Sequence, residues 1–248
     1  MHTKRYTGQC GVAIGPVLFI VAVLAILAAA IAAGSGSFTA ATTTESISTA
    51  ASTIISYADL VGAAVQRLSI EHNCSASQIN FVNPLVSGYT NAGAPSDNSC
   101  NVFDPAGGAI TYQNPPASYL DSSNTSAPSY GNWFFSGANQ LQNWNASSGS
   151  IILFLPYVPL AICQKINSLL GFPVTTQSYV PWINSVDTVE NIKFTGASPA
   201  DAYIFPNSGG CTSACYGVVS GCLWFNNWSY NTTNIMATGI FYKVLMQE

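Results

Sequence analysis

The sequence predicts an α+β protein in which a long N-terminal helix packs on a C-terminal, β-rich globular domain stabilised by disulfides. Three features predict it: an unbroken apolar run, an apolar seam at helical spacing behind it, and a turn-rich remainder with six cysteines. We expect four segments: a basic leader (1–11), a transmembrane helix (12–34), an amphipathic helical stalk (35–73) and an exported globular domain (74–248).

The apolar run over residues 12–33 predicts the membrane segment. At about 1.5 Å per residue it spans about 33 Å, enough to cross a hydrocarbon core of about 30 Å. Lys4 and Arg5 precede the run, and the first acidic residue is Glu45. Because positive charge is retained in the cytoplasm, we expect a single-pass protein with a cytoplasmic N-terminus and an exported remainder.

The stalk is predicted from apolar residues that recur alternately every four and three positions. Such a seam follows one side of a helix and suits close approach to a sheet or to another helix. A core helix of an ordinary domain would show the same seam, so the pattern predicts the helix, ending near Asn73, and not its partner. The seam residues are Ile47, Ala51, Ile54, Ala58, Val61, Val65 and Leu68.

Beyond Cys74 the helical periodicity is lost. Turn sequences dominate up to residue 150, which predicts short strands and loops. The apolar run 151–155 predicts a buried strand closed by Pro156, and residues 159–171, opened by Pro159 and followed by Gly171, predict a short helix. Its apolar face should pack on the sheet through Ile162, Ile166, Leu169 and Leu170, with Cys163 tethered by a bridge.

Three later runs rich in β-branched and aromatic residues predict strands at 203–205, 223–225 and 240–246. The last of them would place the C-terminal segment inside the sheet.

Cysteine number predicts an oxidising compartment. Cys10 precedes the membrane segment, and the even number after it suggests three disulfides, for which 15 connectivities exist. Proximity along the chain favours Cys74 with Cys100. A metal site at Cys211, Cys215 and Cys222 is disfavoured, because no histidine lies nearby and the spacing is not that of a zinc knuckle. The six exported cysteines are Cys74, Cys100, Cys163, Cys211, Cys215 and Cys222.

Charge and composition argue against several functional classes. Only 6% of residues are charged, and the segment after Gly34 is acidic overall, so we expect no nucleic-acid binding. With only His2 and His72, and no carboxylate pair singled out by spacing among Asp187, Glu190 and Asp201, we expect neither catalysis nor a bound cofactor.

Two binding features stay open. The aromatic groups at 133–135 and at 224–228 could be platforms for sugars or a partner surface, although most aromatic side chains belong to cores. The stretches 97–104 and 121–124 could hold Ca²⁺, but they lack the EF-hand pattern and favour turns.

The start of the chain resembles type IV pilins and pseudopilins. A short basic leader ends in glycine, and GVAIGPVLFIVAVLAILAAAIA follows, with an amphipathic continuation. The ending, with CQKIN at 163–167 and FYKVL at 241–245, is similar to an uncharacterised group of proteobacterial pilin-like proteins. The resemblance covers roughly the first 70 residues as an architecture and about 20 as a motif.

The resemblance implies a structural subunit of a surface filament or pseudopilus. It implies peptidase cleavage between Gly11 and Val12, storage in the bacterial inner membrane, and export by pilus or secretion machinery. The subunit would then be built into a homopolymer at the cell surface through small residues of the apolar helix: Ala25, Ala29, Ala30 and Ala33. In the family, a glutamate five residues after the leader helps neutralise a neighbouring amino terminus, and here that position is Pro16.

Two other interpretations stay open. Residues 1–33 could be a cleaved secretory signal, although their apolar part exceeds the usual 7 to 15 residues of such signals. The chain could also be a membrane-anchored or secreted monomeric adhesin that never polymerises.

Overall fold

The protein is α+β, with a mixed sheet whose four central strands are antiparallel. The computed structural model describes residues 14–127, 129–141, 150–172, 182–183, 193–196, 203–205, 217–225, 228–230, 233–235 and 238–247. Within them it describes side chains from Thr43 onward, except those at 138, 140–141, 182–183, 203–205, 225, 228–230 and 233–235. By its internal contacts the chain divides into two compact units, residues 1–46 and 47–248.

Helix α1 runs from Ile14 to Glu71. After the helix Asn73 adopts a left-handed conformation (φ 54°), and the Cys74 N–H donates to the Leu68 carbonyl over 3.2 Å. The predicted end near Asn73 is therefore confirmed.

Over the described side chains, no helix combines the length and apolarity needed to cross a membrane. The predicted leader, its Gly11–Val12 cleavage site, and the side chains of the predicted membrane segment, including Ala25, Ala29, Ala30 and Ala33, lie outside those described residues.

The segment between Cys74 and Trp133 is built of turns, one isolated bridge and three short 3₁₀ helices. These helices span Ala76–Gln78, Ala117–Tyr119 and Ser122–Asn124. The bridge joins Asn80 to Asn101. Loops were predicted here, whereas short strands between 74 and 133 are not found among the described residues.

Eight strands and a second helix follow. The strands are β1 (Phe134–Leu141), β2 (Ser150–Val158), β3 (Trp182–Ile183), β4 (Tyr203–Phe205), β5 (Ser220–Phe225), β6 (Trp228–Tyr230), β7 (Thr233–Ile235) and β8 (Thr238–Gln247), and helix α2 (Leu160–Leu170) lies between β2 and β3. The predicted strands at 203–205, 223–225 and 240–246 are confirmed.

The main sheet has the order β3-β5-β8-β2-β1-β4, and β6 and β7 form a separate hairpin. Strands β5, β8, β2 and β1 pair antiparallel, whereas β3 and β4 pair parallel at the two edges. Because β8 lies between β5 and β2, the C-terminal run is inside the sheet, as predicted.

Strand β2 is buried at every position, which confirms the predicted buried strand but not its end at Pro156. The strand continues through Pro156 to Val158, with a register shift against β8 and a positive φ of 64° at Tyr157. Proline is tolerated there because pairing with β1 ends at Phe154, so the missing N–H leaves no gap on that side.

Candidate functional site

The seam of α1 forms the centre of the hydrophobic core. Ala51, Ile54, Ala58, Val61, Val65 and Leu68 are buried, and Ile47 packs at the margin of the same cluster. The cluster also contains Ile151, Leu153 and Leu155 of β2 and Phe241 of β8. The predicted seam therefore packs on the sheet, which the sequence had left open against packing on another helix.

Gly62 marks the place where α1 approaches β8. A Cβ at this position would lie 3.1 Å from Lys243 Cε and 3.9 Å from Leu245 Cδ2. The Lys243 stem therefore crosses the helix beside Gly62, and its ammonium pairs with Asp59 one turn earlier. The glycine that interrupts the helical sequence thus allows a side chain of the sheet to lie close to the helix.

A disulfide and two hydrogen bonds from helix α2 converge on Cys222 of β5. A disulfide joins Cys163 to Cys222 with a Cα–Cα distance of 5.2 Å, so the tether predicted for Cys163 is confirmed. The Asn167 amide donates to the Cys222 carbonyl over 2.8 Å and accepts from the Cys222 N–H over 2.7 Å. A helix side chain therefore satisfies backbone groups that a neighbouring strand would otherwise satisfy.

The second described disulfide joins Cys74 and Cys100, as proximity predicted. It links the end of α1 to the loop region, next to the bridge between Asn80 and Asn101. Cys211 and Cys215 lie outside the described residues, so a third bridge stays a prediction.

The predicted apolar face of α2 is partly wrong. Ile162 and Ile166 are buried, but Leu169 is 47% exposed, and the other buried positions are Cys163 and Asn167. The disulfide and the amide pair place positions 163 and 167 against the sheet. An apolar pattern alone assigns Asn167 to solvent, which explains the error.

A small pocket opens beside Tyr57 of α1, and we call it the Tyr57 pocket. Its volume is about 120 Å³. The Tyr57 ring stacks on Trp133 with centroids 4.9 Å apart, and its hydroxyl accepts from the Gln113 N–H over 3.1 Å. Burial raises the pKa of Tyr57 to about 12, so the hydroxyl stays protonated at neutral pH.

The remaining lining of the Tyr57 pocket comes from α1 and from one loop. Thr53 and Ile54 lie one turn before Tyr57, and the loop contributes residues 113–116 and Tyr119. No Asp, Glu, Lys, Arg or His is part of this lining. The pocket is therefore a neutral concavity with aromatic and proline surfaces and a rim of amide and hydroxyl groups.

A wider depression of about 630 Å³ lies along α2. It is lined by Ile47, by Lys165 and other polar residues of α2, and by Phe172. Its lining combines one cation with amide and hydroxyl groups and contains no cluster of acids or nucleophiles.

Three further tyrosines are buried with satisfied hydroxyl groups. The Tyr89 hydroxyl accepts from the Phe135 N–H, and that of Tyr112 accepts from the Trp133 N–H, each over 3.1 Å. The Tyr242 hydroxyl donates to the Val218 carbonyl over 2.8 Å. Burial raises the pKa of each phenol well above its ordinary value, so these groups are structural donors and acceptors.

The aromatic group at 133–135 is part of the core and offers no exposed platform. Trp133, Phe134 and Phe135 are all buried. Phe135 stacks on Phe81 with centroids 4.2 Å apart, and Trp133 meets Phe241 edge-on. In the second group, Trp224 is half-buried, and the side chains of Phe225 and Trp228 lie outside the described residues.

The two acidic stretches form turns. The Asp97 and Asp121 carboxylates accept from backbone N–H groups two residues on, and Asp104 accepts from Ala106 N–H and the Asn98 amide. Hydrogen bonds from the Ser99 side chain and backbone lower the pKa of Asp97. Within the described part of the chain, no group of three or more His, Cys, Asp or Glu could hold a metal ion.

The structure does not show His72 and the candidate acids together in one site. His72 is exposed after the end of α1. Asp187, Glu190 and Asp201 lie outside the described residues. The Tyr57 pocket was not predicted, because Tyr57, the 113–116 loop and Trp133 are far apart in sequence and no periodicity connects them.

The chain matches no protein-family model, no curated protein and no solved structure.

Proposed function

We propose that this chain is a structural subunit of a type IV pilus-like or pseudopilus-like surface filament, assembled through its N-terminal apolar helix. The support is the basic leader, the apolar run at 12–33, and an α+β unit closed by disulfides of the kind that persist outside the cytoplasm.

The observation that carries the proposal is that one helix has two differently built portions. From Ile47 to Leu68, α1 supplies the buried seam of the compact unit. Over residues 14–33, by contrast, the sequence of the same helix is uniformly apolar, without the polar face that a globular core helix shows. A helix that is apolar all round needs an apolar environment on every side, which a membrane or a bundle of like helices supplies.

The proposed mechanism is physical. The apolar helix is stored in the bacterial inner membrane and is then transferred by assembly machinery into a bundle of identical helices. Lipid contact is exchanged for helix contact at small net cost because both surroundings are apolar, and Ala25, Ala29, Ala30 and Ala33 permit close backbone approach.

Pro16 distinguishes this helix from the usual pattern. A positive amine generated by cleavage after Gly11 would lie in an apolar bundle without the usual glutamate, and an unpaired charge there is costly. The proposal therefore includes two forms, one with the leader retained and one in which another group neutralises the amine. The mass of the mature N-terminus distinguishes them.

The test combines electron microscopy of sheared surface material with mass spectrometry of the first residue, in cells that produce the full chain. We expect fibres containing this chain, and A29L should abolish them while the protein remains in the membrane fraction. The matched control I26L changes side-chain shape at a bulky position of the same run and should still form fibres.

Absence of fibres, together with a monomeric state in detergent, would refute the filament. Mature protein beginning beyond residue 30 and free in the medium would refute the retained helix as well.

The second candidate is a membrane-anchored or secreted monomeric adhesin. The observation favouring it is the Tyr57 pocket, a concave surface with polar groups available to a ligand. A monomeric state together with binding at this pocket would support it.

A further inference from the structure

We propose that the Tyr57 pocket binds a single pyranose ring of a neutral glycan. The proposal concerns the compact unit alone, so it does not rest on filament assembly and would apply equally to a monomeric protein.

The volume of the Tyr57 pocket favours a ligand that inserts a single six-membered ring. An apolar cavity of about 150 Å³ is known to hold benzene, so a pocket of about 120 Å³ with an open side can receive one face of a single six-membered ring and leaves the rest of that ring in solvent. Clefts for larger ligands have volumes of about 300–1,000 Å³. A proline-rich peptide extends by about 3.1 Å per residue and binds through several residues, so a pocket of this volume suits it poorly.

The pocket walls suit the C–H faces of a sugar. Tyr57 is fixed by stacking on Trp133, and Tyr119 and Pro116 line the same concavity. Aromatic faces carry the negative part of the ring quadrupole, and they attract the weakly positive C–H groups of a pyranose. A fixed ring also loses little entropy when a ligand binds.

The rim suits hydroxyl groups. Gln113 and Asn114 are exposed, and their side-chain amides make no hydrogen bond to any described residue. Each amide offers donors and an acceptor, as hydroxyl groups on neighbouring sugar carbons require. The Thr53 hydroxyl donates to the Thr49 carbonyl and keeps lone pairs as further acceptors.

The absence of ionisable groups from the lining selects a neutral ligand. A sialic acid or a sugar phosphate would lose water from its charge and meet no cation in the pocket. A neutral hexose or N-acetylhexosamine has no such cost.

Saturation-transfer NMR on the full chain in a zwitterionic, sugar-free detergent tests the proposal. The probes are methyl glycosides of glucose, galactose, mannose and N-acetylglucosamine, with sialic acid and a proline-rich peptide as comparisons. We expect at least one neutral glycoside to bind in the millimolar range, with saturation of its ring protons, and neither comparison compound to bind.

Q113A and N114A should each weaken binding at least about fivefold, because each removes a hydrogen-bonding side chain and leaves the exposed backbone in place. The matched control Q66A removes an exposed amide of α1 outside the pocket and should leave the affinity unchanged. Near-UV circular dichroism verifies that each variant is folded.

Failure of all four glycosides to bind the folded protein would overturn the proposal. So would binding that Q113A and N114A leave unaltered, or a preference for the peptide.

Discussion

Replacing Asn167 with alanine tests how α2 is held on the sheet. Cys222 is fully buried and Asn167 is 2% exposed, so the variant leaves the Cys222 N–H and carbonyl without their two partners in a dry environment. Each lost bond contributes about 1 kcal/mol, and a buried group left unpaired costs about 1–3 kcal/mol. We therefore expect N167A to lower the free energy of unfolding by about 2–5 kcal/mol.

The register of β5 explains why the Cys222 backbone needs the Asn167 amide. Both the N–H and the carbonyl of Cys222 bond to Asn167, which places them on the strand edge away from β8. On that edge, the described residues of β3 pair with Trp224 and Phe225. The Asn167 amide therefore satisfies the backbone at Cys222, where no strand is paired among the residues that the structure describes.

The assay is guanidinium unfolding of the full chain in detergent, followed by near-UV circular dichroism under oxidising conditions. The Cys163–Cys222 disulfide keeps α2 tethered, so the variant should fold and show the loss as a lower midpoint. The matched control S168A alters an exposed neighbour on α2 and should change stability by less than about 0.5 kcal/mol. A midpoint for N167A equal to that of S168A would refute the reasoning.

Two further predictions follow from the same unit. A Cβ at Gly239 would overlap Cys163 Sγ and the Val158 carbonyl oxygen, so G239A should hinder formation of the Cys163–Cys222 bridge and leave a larger fraction of both thiols free in alkylation mass spectrometry. The comparison variant G131A, in which the added Cβ strains the backbone (φ 79°) but meets no other atom, should leave the bridge formed. Burial raises the pKa of Tyr57 to about 12 from an ordinary value near 10, so the folded state holds this proton more tightly than the unfolded state. That stability is present below about pH 10 and declines toward pH 12. The denaturant midpoint of unfolding should therefore decrease between pH 9 and pH 11, and it should decrease less in Y57F. An equal decrease in both proteins would contradict this prediction.

The sequence predicted those elements whose ends are determined by residues at or next to the ends themselves. Pro159 and Gly171 delimit α2 because proline suits a helix start and glycine readily adopts the left-handed conformation seen at Gly171, with φ 63°. The seam of α1 could be predicted because a helix buried on one side has apolar residues at a regular spacing of about 3.5 positions. Its partner could not, since a sheet and a second helix both accept small and β-branched residues.

Contacts between residues far apart in the sequence could not be predicted from such patterns. The Cys163–Cys222 bridge spans 59 residues and was one of many possible connectivities, and in the orientation of α2 that contains it Leu169 is exposed. The Tyr57 pocket joins a helix to a loop more than 50 residues later. Such contacts depend on how the elements pack, and no local pattern in the sequence encodes them.

Buried asparagine amides explain how a chain with so few charges specifies its tertiary structure. The described residues contain two ion pairs, both partly exposed, and such pairs contribute little to stability. Specific polar contacts are made instead by buried amides: Asn91 donates to the Ser77 and Ile79 carbonyls, and Asn167 pairs with Cys222. An amide offers a donor and an acceptor without the desolvation cost of a charge, so it can bond to backbone wherever a strand or turn lacks a partner. These contacts should therefore change little with salt, and at positions 91 and 167 asparagine stabilises the fold.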